Sequence, residues 1–246
     1  MSSNSNLLLL SSSAVFGRAR LEHARAALAE LLGTVRRVHF AAYAMADHDA
    51  YTTGIQEALA PLGIEVVGLH TVTDARQELD RSDVLFVGGG NTFRLLHHLQ
   101  RLGLIEPVRR RVMSGELRYI GASAGTNVAC PTIRTTNDMP IVEPTSFEAF
   151  GLVPFQINPH YQDPLPDSTH MGETREERII QFLEENEVPV LGMREGAWLR
   201  RRGAALQLEG LSGARVFERG QLPRELQPGT DLSWLLDAPA RFDSPA

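Results

Sequence analysis

Apolar and polar positions along the chain follow two rhythms that keep changing places. Short, largely apolar runs at 7–10, 38–44, 65–69, 84–87 and 118–122 have the length and aliphatic content of buried strands. Between them apolar residues recur at helical spacing. Leu21, Ala24, Leu28, Leu31 and Leu32 mark a helix over 19–32, and others are predicted at 51–62, 74–79, 93–102 and 106–114. Gly33 and Gly63 end the first two. Strands at 155–158 and 190–193 enclose a helix at 174–185. A hairpin of 197–201 and 204–208 around Arg202-Gly203 and a strand at 214–218 complete the series. This alternation predicts an α/β fold: a mostly parallel sheet with helices on both faces and antiparallel strands near the C-terminus. Residues 1–246 read as one domain, with 1–5 and about 237–246 flexible.

Composition narrows the picture. With 43% hydrophobic and 22% charged residues, the chain has the balance of a water-facing protein with a substantial core. A net charge of −6 argues against nucleic acid as a partner, because phosphate neutralisation needs concentrated cations. The runs Arg109-Arg110-Arg111 and Arg200-Arg201-Arg202 read as solvated faces. Leu7-Leu8-Leu9-Leu10 is too short to span a bilayer, and no basic segment precedes it, so neither a membrane nor a secretory signal is expected. A single cysteine, Cys130, excludes an internal disulfide and suits a reducing, cytoplasmic setting.

The chemistry gathers where strands end. Gly121-Ala122-Ser123-Ala124-Gly125 follows the strand at 118–122 and precedes a short helical piece. That is a nucleophile-elbow pattern: a tight turn lifts the Ser123 hydroxyl out of the sheet, and small residues let neighbouring backbone approach. The Ala124 N–H faces the place where an oxyanion would form. Gly88-Gly89-Gly90-Asn91 follows the strand at 84–87. Phe93 stands where a dinucleotide loop would need its last glycine, so Gly89 and Gly90 are read as oxyanion amides, with Asn91 beside them as a substrate contact.

A serine nucleophile needs a base, and the base needs an acid to orient it. Of eight histidines, His160 in Asn158-Pro159-His160 follows a predicted strand, whereas His23, His39, His97 and His98 sit within elements. Asp138, in the loop after the elbow helix, and Glu195, after the strand at 190–193, are both placed to serve as the acid. Cys130 reads as a buried, inert thiol.

IGASAGTNVACPTIRTTNDMPIV, VGGGNTFRLL, FQINPH and GETREERI occur in this order, and on these residues the chain resembles the serine-peptidase family of peptidase E and cyanophycinase. The resemblance covers residues 7 to about 195. It implies a fold like that of class I glutamine amidotransferases, with serine where those enzymes carry cysteine, and hydrolysis of Asp-Xaa dipeptides with no metal and no cofactor. It also implies Ser123 as nucleophile, His160 as base, Asp138 as third member with Glu195 as the alternative, and Arg175 as the cation for the aspartyl side chain. Ala122 stands where the family often has tryptophan. Rival readings are a cyanophycinase-like hydrolase of β-Asp-Arg linkages, a metallohydrolase built on His160, Asp163 and His170, and an inactive binding module. The expected partner is a small peptide, and the expected assembly a monomer or homodimer.

Overall fold

The computed structural model describes residues 5–164, 169 and 171–244. The main sheet is built from β1 (Asn6–Leu10), β2 (Arg37–Ala41), β3 (Glu65–Gly68), β4 (Val84–Val87) and β5 (Arg118–Ala122). Interleaved with these strands are α1 (Arg25–Leu32), α2 (His48–Leu59), α3 (Ala75–Asp80), α4 (Thr92–Arg101), α5 (Ile105–Ser114) and the four-residue α6 (Ala124–Asn127). After a long irregular stretch come β6 (Gln156–Pro159), α7 (Arg175–Glu185), β7 (Val190–Met193), β8 (Ala197–Arg202), β9 (Ala205–Gly210), β10 (Ala214–Phe217) and β11 (Arg224–Leu226). The first predicted helix is shorter than its apolar spacing suggests. Leu21 takes a left-handed φ of 60°, a 3-10 turn covers Glu22–Ala24, and the α-helix starts only at Arg25.

The strands form two sheets rather than one. Seven strands run in the order β3-β2-β4-β5-β1-β8-β9, with β3, β2, β4, β5 and β1 parallel and β8 and β9 antiparallel. Four more run β11-β10-β7-β6, with β6 and β7 parallel. The expected single sheet is therefore split after β5, and the chain returns to the first sheet at β8 through only Arg194, Glu195 and Gly196. A continuous apolar core joins the sheets, with Leu7 and Leu9 of β1 and Leu191 and Met193 of β7 all fully buried in one cluster. The opposite face of the main sheet packs α1 and α2 through Leu28, Leu31, Ile55 and Leu59.

The two arginine runs are not solvated faces. Arg200 and Arg201 are only 3% and 6% exposed, because β8 lies between two neighbours and both of its faces are covered. Arg201 donates to the carbonyls of Leu152 and Gly203, and Arg200 to those of Leu7 and Arg201 and to Asn6 Oδ1. Arg109 likewise ties down the Ala149 and Phe150 carbonyls, and Arg111 those of Leu79 and Ser82. Only Arg110 of that run is exposed. The guanidinium supplies several fixed donors to loop carbonyls that would otherwise be buried without partners. The segment after Asp237 is held down as far as Ser244. Arg134 grips Asp243 through two bonds of 2.6 and 3.0 Å, and the Ser244 N–H donates to the Glu185 carbonyl. Among the described residues no helix is long and apolar enough to cross a membrane.

Candidate active site

The C-terminal ends of parallel strands from both sheets meet at one cleft of about 480 Å³. Ser123 follows β5 with φ 53° and ψ −110°, a conformation that costs a non-glycine residue about 1–3 kcal/mol. The surroundings impose it. The Ser123 N–H donates to the Leu10 carbonyl of β1, and its carbonyl accepts from Thr126 and Asn127 at the start of α6. The flanking glycines are required by contact: a Cβ on Gly125 would lie 2.0 Å from the Val87 carbonyl oxygen, and one on Gly121 2.6 Å from that of Gly125. The elbow can turn this tightly because neither residue carries a side chain.

His160 follows β6 and also has a positive φ, 54°. Its Nε2 lies 2.9 Å from Ser123 Oγ and its Nδ1 2.8 Å from Glu195 Oε1. Glu195, just past the end of β7, is the carboxylate that touches the imidazole; Asp138 is not. Asp138 sits beside α4, where Oδ2 accepts from the Thr92 N–H at 2.7 Å and from Thr136 Oγ1 at 3.2 Å, as an anion at a helix N-terminus does. The sequence places Asp138 in the loop after the elbow helix and Glu195 after a strand; β6 and β7 are hydrogen-bonded neighbours, and this pairing brings His160 and Glu195 together.

Ser11 joins the two sheets at the site. Its Oγ accepts from the His160 N–H and donates to the Met193 carbonyl, both at 2.9 Å. The residue escaped the sequence analysis because it lies in a serine-rich start, although it follows β1 at the same edge as Ser123. Arg194 steadies the other flank. It pairs with Asp163, three residues beyond His160, and with Glu225 of β11; these carboxylates push its pKa far above the ordinary arginine value. Asp163 and His160 are thus both engaged by neighbouring side chains, and His170 lies outside the described residues.

The expected oxyanion donors divide. The Ala124 and Gly90 amides have no acceptor among the described residues, and Gly90 lines the cleft. The Gly89 N–H instead donates to Tyr51 Oη at 2.7 Å. Tyr51, another residue without a sequence signal, lines the cleft, and burial raises its pKa. Asn91 is the N-cap of α4, with Oδ1 accepting from the Arg94 N–H and Nδ2 donating to the Met139 carbonyl, so its side chain is already committed. Arg175 opens α7 and does not line the cleft around Ser123. It is half-buried and unpaired among the described residues, since Glu173 pairs with Arg178 and Glu176 with Arg215. Burial and the Arg178 charge lower its pKa, against the favourable charge of Asp138. Cys130 is fully buried, which pushes its pKa up to about 12.

A mostly parallel α/β scaffold that presents a strained serine to an imidazole backed by a carboxylate is the arrangement of a serine-type hydrolase. The model of Peptidase family S51 matches residues 7–209, and the chain belongs to that family; it is a peptide hydrolase. It is 58% identical over 239 residues to Peptidase E of Streptomyces coelicolor, covering 97% of this chain and 98% of that one. It is 49% identical over 238 residues to the Probable alpha-aspartyl dipeptidase of Drosophila melanogaster, covering 96% and 99%. Among solved structures, a Putative Peptidase E Protein from Listeria monocytogenes superposes with a TM-score of 0.64 at 25% identity, covering 85% of this chain and 99% of that one.

Proposed function

We propose that the chain is a serine dipeptidase that hydrolyses Asp-Xaa peptides through an acyl-enzyme on Ser123. The observation that carries this reading is the contact of His160 with both Ser123 Oγ and Glu195 in an open cleft. In the first step His160 Nε2 takes the hydroxyl proton as Oγ attacks the scissile carbonyl carbon. The carbonyl oxygen becomes an oxyanion at the Gly90 and Ala124 amides. Glu195 holds Nδ1–H and balances the imidazolium. The imidazolium then protonates the leaving amine, the C–N bond breaks and the second amino acid departs. Water, deprotonated by the same nitrogen, attacks the ester carbonyl; the Oγ–C bond breaks, the imidazolium returns its proton to Ser123 Oγ, and aspartate is released. Arg175, half-buried and unpaired among the described residues, is assigned to the aspartyl carboxylate. A cytoplasmic location, which the lone buried cysteine suits, and action as a monomer or homodimer complete the reading.

The test is release of leucine from Asp-Leu, with and without chelator, by wild type, Ser123→Ala and Arg175→Met. Hydrolysis unaffected by chelator should fall by three decades or more in Ser123→Ala. Arg175→Met should lose roughly two decades in kcat/KM on Asp-Leu and far less on Asn-Leu. A Ser123→Ala enzyme near wild-type turnover removes serine catalysis, and equal Arg175→Met losses on the two substrates remove the assignment of Arg175.

A further inference from the structure

The residues that line the cleft include one arginine, Arg20, and no lysine. Arg20 is exposed and has no carboxylate partner among the described residues, whereas Arg194 next to Glu195 is gripped by two acids. The one carboxylate in the lining, Glu195, is turned to His160. A guanidinium left without a counter-ion in a reaction cleft is suited to an anionic group on the substrate.

The guanidinium is also held in place. Its Cζ lies 5.5 Å from the centroid of the Tyr51 ring, within cation–π range. Tyr51 cannot swing away, because its hydroxyl accepts the Gly89 N–H and its ring packs edge-on against Phe40 at 5.0 Å. From below, α2 approaches the group at Gly54, where a Cβ would make ordinary contact with Arg20 Nη1 at 3.6 Å. A planar donor pre-set in this way loses little freedom when it takes a carboxylate. Val15, Phe16 and Met45 form an apolar part of the same wall, with Phe16 fully exposed. Apolar surface next to a free guanidinium suits a residue that has an apolar side chain and a free carboxylate, as the leaving half of Asp-Leu does.

Building on the dipeptidase reading, we propose that Arg20 is a specificity-determining residue that pairs with a substrate carboxylate, that of the C-terminal residue. It would thereby favour dipeptides over blocked peptides.

The experiment compares wild type, Arg20→Met and Arg20→Lys on Asp-Leu, Asp-Leu-amide and Asn-Leu. On Asp-Leu, Arg20→Met should raise KM by about 10- to 100-fold with kcat within about threefold, because the pair forms away from the reacting atoms. The loss should shrink at high salt, and Arg20→Lys should recover part of it. Wild type should prefer Asp-Leu to its amide by a similar factor, and Arg20→Met should show no such preference. A loss that persists on the amide but vanishes on Asn-Leu would move Arg20 to the aspartyl side chain and overturn the C-terminal assignment. Equal losses on all three substrates, or none, would overturn the pairing. Binding of Asp-Leu and its amide to Ser123→Ala and to Ser123→Ala/Arg20→Met, measured by calorimetry, needs no turnover. If wild type fails to cleave Asp-Leu, the dipeptidase reading falls, and the binding comparison still decides on Arg20. No binding, or no preference for the free acid, overturns it there.

Discussion

Replacing Glu195 by glutamine removes one charge and almost no volume, so it isolates what the carboxylate does for His160. The contact is 2.8 Å, and the glutamate side chain is 56% exposed, so an effective dielectric of roughly 40–60 is appropriate. Coulomb's law over that distance then gives about 2–3 kcal/mol between imidazolium and carboxylate, or a factor of about 30–150 in rate. The amide adds a second penalty. If its NH2 faces Nδ1, the neutral ring is held with the proton on Nε2, the wrong tautomer to accept from Ser123, and this costs about another decade. The combined loss of about 10²–10³ in kcat is smaller than the roughly 10⁴ known for a buried triad aspartate, because water partly replaces an exposed glutamate. Asp138→Asn is the control. It weakens an anion at the N-terminus of α4 and should cost about 0.5–1 kcal/mol in stability, with any loss of activity in KM rather than kcat. Steady-state release of leucine from Asp-Leu at saturation, with thermal melts of both variants, gives the answer. If Glu195→Gln keeps more than a third of wild-type kcat while Asp138→Asn loses decades, the geometric argument is wrong.

Ser11→Ala removes the hydroxyl that orients the His160 backbone and caps the Met193 carbonyl; kcat should fall about tenfold and stability by about 1–2 kcal/mol, read from kinetics and a denaturant titration. Arg201→Leu strands the Leu152 and Gly203 carbonyls in a covered position and should destabilise by roughly 2–4 kcal/mol with kcat unchanged in the protein that remains folded. With a pKa raised to about 12, Cys130 stays a neutral thiol up to alkaline pH, so iodoacetamide at pH 8 should leave the native protein unmodified and active while alkylating the unfolded chain fully.

Much of the scaffold was legible in the sequence because buried parallel strands leave unbroken apolar runs. The run at 84–87 and the one at 118–122 match β4 and β5 residue for residue. The placement of Ser123 and His160 at one sheet edge was legible for a related reason: Ser123 comes directly after such a run and His160 one proline beyond its own, where an α/β sheet presents its functional groups. The choice between Asp138 and Glu195 was not, because a loop after the elbow helix and the end of a strand can both reach this edge of the sheet, and only the β6–β7 pairing brings one of them to the imidazole. Nor does anything in the apolar runs at 155–158 and 190–193 mark them for a second sheet; partner choice is decided by tertiary packing. Arg200 and Arg201 misled for the opposite reason. Charge in a sequence suggests water, whereas an arginine with backbone carbonyls to satisfy can be interior.

The division of labour between the sheets bears on control of the enzyme. Ser123, the proposed nucleophile, is carried by the larger sheet, whereas His160 and Glu195 stand together on the smaller one. Ser11, the three-residue link from β7 to β8 and the shared apolar core keep the two plates in alignment. A shift of one plate by an ångström or two would leave the imidazole–carboxylate couple whole and disconnect it from the hydroxyl, as a clutch disengages a running motor.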